Sequence, residues 1–239
     1  MGLTGGGGSI LAIPILVYGL HVQINQATII SLLMVATIAL FGAGRQTTSR
    51  NVDWQAAFLF SLSGMIVSPV AIFFAHGIDS SLRLILFSIL MLFVGFKMAR
   101  NGKQQSPQIK IDDLAPGQKV AQTIKMGLGG AGAGILSGFF GVGGGFIIVP
   151  LLIMIFSMPY PKAVGTSLAS IFMISLTAAT GAFIKGISID AFLFLPFVGG
   201  GLIGMLVGSA LVNSIPEKLT KMIFASITIT LALFMLIDN

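Results

Sequence analysis

Hydrophobic residues occur along this chain in long unbroken runs rather than in alternation with polar residues. A membrane β-barrel would show segments of about ten residues that alternate between polar and apolar positions. Long apolar runs are instead typical of helices that cross a bilayer. The pattern therefore predicts an all-α polytopic membrane protein with nine apolar segments, at residues 9–20, 27–44, 55–76, 81–100, 122–140, 143–158, 163–184, 191–213 and 217–237.

One long polar stretch interrupts this pattern at residues 101–121, with the sequence NGKQQSPQIKIDDLAPGQKVA. Pro107, Pro116 and Gly117 disfavour helix there, and the charged side chains need water. We therefore predict a linker between two units. Repeat 1 covers residues 1–100 with about four apolar segments, and repeat 2 covers residues 122–239 with about five.

The two units resemble each other in sequence. When Pro14 is placed on Pro150, Gly5, Gly7 and Gly8 fall on Gly141, Gly143 and Gly144. Glycines, prolines and aspartates that recur in one order indicate a duplication. Further matched pairs, some of them across small gaps, are Leu16 with Leu152, Ala27 with Ala163, Ser31 with Ser167, Leu32 with Leu168, Gly42-Ala43 with Gly181-Ala182, Asp53 with Asp190, Gly64 with Gly201, Leu82 with Leu219 and Phe87 with Phe224.

A glycine cluster, GVGGG at residues 141–145, divides the beginning of the second unit. A single straight helix across residues 122–158 would measure over ~50 Å, which is too long for a hydrocarbon core of ~30 Å. The segment is therefore predicted to be either two crossings or a re-entrant hairpin. The first unit begins at its own glycine cluster, so we expect the first arm of its hairpin to be truncated.

The distribution of positive charge predicts the orientation in the membrane. Basic residues gather around the linker, which places it in the cytosol: Lys97, Arg100, Lys103, Lys110, Lys119 and Lys125. If residues 122–158 form two crossings or a hairpin rather than a single crossing, Lys162, Lys218 and Lys221 also face the cytosol and only Lys185 faces outward. Each unit then has a glycine-broken opening hairpin and three transmembrane helices, and the second unit is inverted relative to the first. We therefore expect both chain ends to lie outside. Such inverted repeats with broken helices recur in transporters.

Composition and charge narrow the function classes. Charged residues make up 8% of the chain and hydrophobic residues 55%, whereas about a quarter of the residues of a soluble domain are charged. The net charge of +6 follows the positive-inside rule, so no nucleic-acid partner is predicted. There are no cysteines and two histidines. Without paired carboxylates or metal-ligand spacing, we expect neither an enzyme nor a cofactor.

The candidate chemistry is anion binding by backbone amides. Glycine N–H groups that no helix uses can bind an anion, especially where a helix begins. Hydroxyl groups add donors without adding charge. The alternatives are close helix packing for the glycines and back-bonding to the helix for the hydroxyls. We assign the packing role to Gly127–Gly132 and to Gly200, Gly201, Gly204 and Gly208. The predicted substrate-binding residues are Gly7, Gly8, Ser9, Thr28, Ser31, Gly141, Gly143, Gly144, Gly145, Thr166 and Ser167.

Two motifs carry a resemblance to a known family. The sequence GFFGVGGGFIIVPLL followed by AVGTSLASI, together with GGGGSILAIPILV and ATIISLL in the first unit, resembles the TauE/SafE sulfite exporter family, also called the toluene sulfonate uptake permease family. The chain starts later than is usual in that family. Its first unit also has Thr28-Ile29-Ile30-Ser31 where the second has Val164-Gly165-Thr166-Ser167, so the two half-sites are expected to be chemically unequal.

The resemblance implies a multi-pass protein of the bacterial inner membrane that transports sulfite, organosulfonates or related sulfur-containing anions. We expect an exporter, with a small anion and the lipid bilayer as its partners; the sequence does not define an oligomeric state. The alternatives are a passive anion channel and a membrane subunit that does not transport.

Overall fold

The helices of the molecule follow the apolar runs. A computed structural model describes residues 7–100, 116–156, 158–184, 186, 191–211 and 217–237; within those ranges the chain is helical and contains no strand. Each of the nine predicted segments is helical there. The opening segment passes from a 3-10 helix (Gly7–Leu11) through α1 (Ala12–Pro14) to a π-helix (Ile15–Gly19). The others are α2 (Ile24–Thr48), α3 (Trp54–Ala75), α4 (Ser80–Arg100), α5 (Pro116–Phe140), α6 (Gly145–Phe156), α7 (Tyr160–Ile184), α8 (Ala191–Leu211) and α9 (Glu217–Ile237).

Helix α5 begins inside the predicted linker, at Pro116. The prediction that Pro116 and Gly117 break a helix is therefore wrong. Proline is well tolerated at the first position of a helix, because the amide hydrogen that it lacks would have no partner there. Residues 101–115 of the linker lie outside the described residues.

Helices α2 and α7 form the centre of the molecule and run antiparallel. In their most apolar windows 72% and 61% of the residues are buried, against 39% in α3 and 17% in α8. Gly42 of α2 packs against Leu168 of α7. Val35, which precedes Gly42 in α2, and Ser175, which follows Leu168 in α7, both contact Gly143. The two contacts run in opposite order along the two helices, which fixes their relative direction.

Helices α3 and α5 run parallel and touch backbone to backbone. A Cβ atom added to Gly130, Gly134 or Gly138 of α5 would overlap the carbonyl oxygen of, respectively, Phe60, Gly64 or Ser68 of α3. We call these six residues the α3–α5 seam. The predicted packing role is confirmed at Gly130, whereas added Cβ atoms at Gly127 and Gly132 would meet nothing within 4 Å.

Helices α5 and α6 form a hairpin around the glycine cluster. Close to the cluster, a Cβ atom on Gly144 would lie 2.8 Å from the Ala133 carbonyl oxygen; further away, one on Gly129 would lie 3.9 Å from Cδ1 of Leu151. Helix α6 therefore folds back along α5. Its 12 residues measure about 18 Å at the standard rise, which is too short for a complete crossing of a ~30 Å core. A single straight helix is excluded.

The outer faces of the helices are apolar, as a lipid environment requires. Among the described residues, four helices are long and apolar enough to cross a membrane: Ile24–Thr48, Trp54–Ala75, Tyr160–Ile184 and Phe192–Ala210. Large apolar side chains such as Phe74 and Phe192 are exposed. In α8, Gly201 packs against Ile38. An added Cβ at Gly200 or Gly204 would meet no described atom within 4 Å, so the predicted packing role of these two glycines is wrong for the part of the chain that the structure describes.

Candidate functional site

The second glycine cluster forms a buried turn between α5 and α6, which we call the glycine turn (Gly141–Gly144). All four of its residues are buried. Gly141, Gly143 and Gly144 have φ values of 69°, 68° and 65°. This left-handed conformation is readily available to glycine and costs other residues free energy. The local sequence therefore ends α5 at Phe140 and reverses the chain before α6 begins.

Three consecutive amides of the turn have no acceptor among the described residues. The Gly141 amide donates to the carbonyl oxygen of Ser137 at 2.8 Å, and the Gly144 carbonyl accepts from Ile147 and Ile148 at the start of α6. No hydrogen bond from the amides of Val142, Gly143 or Gly144 is found in the described part of the chain. Buried backbone amides are almost always paired, so donors that lack a protein acceptor indicate a place for another acceptor.

The glycine turn packs against α2 and α7, where there is no room for a side chain. A Cβ atom added to Gly141 would lie 2.6 Å from Cγ2 of Thr28. One added to Gly143 would overlap Val35 and lie 2.6 Å from the Ser175 hydroxyl oxygen. Glycine is therefore required at these positions by space as well as by conformation.

Buried hydroxyl groups without partners lie around the turn. Ser31, Ser137 and Ser175 are fully buried, and their hydroxyl oxygens have no hydrogen-bond partner among the described residues. Ser31 lies on the same face of α2 as Thr28 and Val35, since residues three or four apart are neighbours on a helix. A buried hydroxyl without a partner costs about 1–3 kcal/mol. Two helices and the turn thus present donors toward one region.

Arg83 of α4 brings a positive charge to the same region. The side chain is only 1% exposed. Its Nη1 donates to Asn25 Oδ1 at 2.9 Å, and its Nη2 donates to Thr28 Oγ1 at 3.2 Å and to the Phe139 carbonyl oxygen at 3.0 Å. Its Nε has no partner among the described residues. All three acceptors are uncharged.

Arg83 is not among the predicted site residues, although the sequence contains a signal for it. Arg83 is a single basic residue between apolar neighbours near the start of an apolar segment, in the sequence SLRLIL. An ionisable residue within a membrane segment is a functional candidate by default.

Thr166 and Ser167 lie away from the glycine turn. The Thr166 hydroxyl oxygen accepts a hydrogen bond from the Asp53 amide at 3.0 Å, and Ser167 donates to the Val164 carbonyl oxygen at 2.8 Å. Asp53 also caps α3 through the Ala56 amide. Thr166 precedes Ser175 by nine residues of the same helix, which is about 13 Å along its axis. The structure therefore brings Thr28 and Ser31 to the turn, and not Thr166 and Ser167.

The first glycine cluster is described only in part. Gly5 lies outside the described residues, while Gly7 and Gly8 begin the 3-10 helix, in which Ser9 is buried. This 3-10 helix contacts α6, whose first residue is Gly145. The segments that follow the two glycine clusters therefore touch each other.

Comparison with known proteins gives one family and several relatives. The family model described as Sulfite exporter TauE/SafE matches residues 1–235. A probable membrane transporter protein of Xylella fastidiosa (strain 9a5c) is 30% identical over 99% of this chain and 89% of its own length. A probable membrane transporter protein of Methanocaldococcus jannaschii is 27% identical over 98% of this chain and 90% of its own. No solved structure matches the chain significantly.

Proposed function

The chain belongs to the TauE/SafE sulfite exporter family, and we propose that it exports sulfite, organosulfonates or related small sulfur-containing anions across the bacterial inner membrane. It is a multi-pass membrane transporter rather than an enzyme, as the family and its relatives indicate. The anion is bound at the glycine turn by backbone amides and serine hydroxyls. Gly145, which directly follows the turn, and Gly7 to Ser9 of the first cluster, in the other unit, complete the site.

The observation that carries this proposal is the set of three buried amides, from Val142 to Gly144, without an acceptor in the described chain. Each oxygen of a sulfite or sulfonate group can accept hydrogen bonds from such donors. The hydroxyls of Ser31 and Ser175, which also lack partners among the described residues, reach the anion from α2 and α7. Neutral donors that are already fixed in position stabilise a charge without a reorganisation cost at the moment of binding.

The helix bounds support the inverted repeat as part of the same proposal. Helix α7 begins and ends 136 residues after α2, from 24 to 160 and from 48 to 184. Helix α9 begins and ends 137 residues after α4, from 80 to 217 and from 100 to 237. Because α2 and α7 run antiparallel, their units would have opposite orientations in the membrane. Two inverted units around a midplane site provide a route to alternating access.

The driving force favours export of an anion. A membrane potential that is negative inside contributes about 2.3 kcal/mol per charge per 100 mV in the outward direction. No coupling ion is needed for that direction. A passive channel would use the same driving force, so the dependence of flux on concentration distinguishes the two: a carrier saturates.

Transport by proteoliposomes tests the proposal. The wild-type protein should move sulfite and methanesulfonate with saturable kinetics, and Gly143→Ala should abolish this flux. The matched control is Gly186→Ala, because Gly186 also has a left-handed φ of 76° but meets nothing within 4 Å. Gly186→Ala should therefore keep its flux despite a similar conformational cost of about 1–2 kcal/mol. Normal flux by a folded Gly143→Ala variant would contradict the proposed site, and wild-type flux no greater than that of empty liposomes would contradict the function.

A further inference from the structure

We propose that Arg83 makes this a site for anions with a single negative charge, so that sulfonates and bisulfite are substrates and dianions such as sulfate are excluded. This inference rests on the proposed function, and it adds the charge of the substrate.

Arg83 lies directly beside the glycine turn. Its Nη2 bonds the carbonyl oxygen of Phe139, two residues before Gly141, and the hydroxyl of Thr28. Thr28 in turn contacts Gly141 through its Cγ2 and Cβ atoms. The Thr28 side chain thus lies between the guanidinium group of Arg83 and Gly141, the first residue of the turn. An anion held by the amides of the turn would lie next to a formal positive charge.

The charge of Arg83 is not balanced by the described part of the protein. Asp53 and Asp79 are the acidic residues whose side chains are described. Asp53 pairs with Lys162 at 3.5 Å, and Asp79 is exposed and caps the amide of Ser81. Neither of them forms an ion pair with Arg83. A buried charge without a counterion is costly, so an anion that binds beside it removes a penalty as well as making hydrogen bonds.

The Arg83 side chain is directed into the protein. Long basic side chains near the end of a membrane helix usually extend toward the headgroups. Arg83 is the fourth residue of α4 and could do the same. Instead it is almost completely buried and directed at α2 and the end of α5. Its Nε–H, which has no acceptor in the described part of the chain, is available for an oxygen of the ligand.

Charge balance then determines selectivity. One guanidinium and one monoanion give a neutral pair inside a region of low dielectric constant. A dianion would leave one uncompensated negative charge, because the other donors of the site are uncharged amides and hydroxyls. An unpaired buried charge is strongly unfavourable, so the discrimination should amount to about tenfold or more in affinity.

Calorimetric titration of the purified full-length protein with three small probes tests this inference. Methyl sulfate and sulfate have the same tetrahedral head with one and two charges, and dimethyl sulfone is a neutral analogue. Methyl sulfate should bind at least about tenfold more tightly than sulfate, and dimethyl sulfone should not bind measurably. Arg83→Gln should weaken methyl sulfate binding by about tenfold or more, and Arg83→Lys should restore part of the affinity because it keeps the charge. Arg45→Gln, at an exposed arginine of α2, is the control and should bind as the wild type does.

Two results would overturn the inference while leaving the proposed function in place. The first is equal or tighter binding of sulfate by the wild-type protein, which decides the question even if Arg83→Gln does not fold. The second is unchanged methyl sulfate affinity in a folded Arg83→Gln variant. If the wild-type protein binds neither anion, the proposed function fails and this inference fails with it.

Discussion

At the scale of single residues, buried serines of the described helices differ in whether their hydroxyl group has a hydrogen-bond partner. Ser61 donates to the carbonyl oxygen of Ala57 at 2.6 Å, as helix serines commonly do. Ser31 and Ser175 are equally buried and have no partner among the described residues. A hydroxyl without such a partner reduces the stability of the empty protein, and it can be recovered as a donor when a ligand binds.

Replacement of the two unpartnered serines should separate affinity from stability. Ser31→Ala and Ser175→Ala should each weaken binding of methanesulfonate by about 1.5–3 kcal/mol, the range for a hydrogen bond to a charged group. The melting temperature should stay the same or rise, because an unsatisfied buried hydroxyl is removed. Titration calorimetry and thermal unfolding in detergent measure the two effects.

Two matched controls belong to this experiment. Ser61→Ala removes a hydroxyl that is already bonded and should leave affinity unchanged. Thr166→Val removes the acceptor of the Asp53 amide and should lower stability by about 1–3 kcal/mol without affecting binding. Unchanged affinity in both Ser31→Ala and Ser175→Ala would assign the site to the amides alone.

At the scale of helices, glycine content has different consequences on two faces of α5. Gly134 belongs to the α3–α5 seam, while Gly132 lies two residues earlier on the same helix with no atom within 4 Å of an added Cβ. Gly134→Ala should destabilise the protein by about 1–3 kcal/mol, the usual cost of overpacking, or more. Gly132→Ala should be neutral or stabilise it by up to about 1 kcal/mol, since alanine favours helix.

Unfolding of the two α5 variants in parallel checks this difference. The comparison is sharp because both substitutions add one methyl group to the same helix. Equal stability of the two variants would mean that α3 and α5 do not touch as described.

The sequence predicted the helical elements well for a simple physical reason. An apolar run long enough to span a bilayer can satisfy its backbone only as a helix, so length and composition are sufficient evidence. Which polar group lies beside which other group depends on the packing of helices that are distant in sequence. The hydroxyl of Thr166 is bonded to a residue 113 positions away, and no local pattern indicates that bond.

In the candidate site, too, the backbone conformation could be predicted from the sequence and the contacts between distant side chains could not. The special backbone of the glycine turn was predictable, because consecutive glycines favour conformations that other residues avoid. The presence of Ser175 in the site was not predictable, because this serine differs from other helix serines only in that the glycine turn packs against it. Arg83 was present in the pattern as an isolated charge, and only its burial against Phe139 and Thr28 distinguishes it from an arginine at the membrane surface.

At the scale of the whole molecule, the orientation of the two units can be tested at equivalent positions. Gln23 immediately precedes α2, and Pro159, 136 residues later, immediately precedes α7; both are exposed. If the units are inverted, Gln23→Cys should react with a membrane-impermeant thiol reagent from outside the cell and Pro159→Cys only from the cytosol. The chain has no cysteine of its own, so each label is unambiguous. Labelling of both positions from the same side would contradict the inverted arrangement.

The spacing of the α3–α5 seam has a mechanical consequence for the depth of the glycine turn. Rotation of α5 about its axis is blocked, because it would replace a glycine facing α3 with a larger neighbour such as Ile135. Translation along the axis is restricted as well, since Gly130, Gly134 and Gly138 recur every four residues. Close backbone contact is regained only after a shift of four residues, which is about 6 Å at the standard rise. The seam therefore allows α5 only discrete axial positions relative to α3. The turn at the end of α5 can accordingly lie at discrete depths and at no intermediate ones.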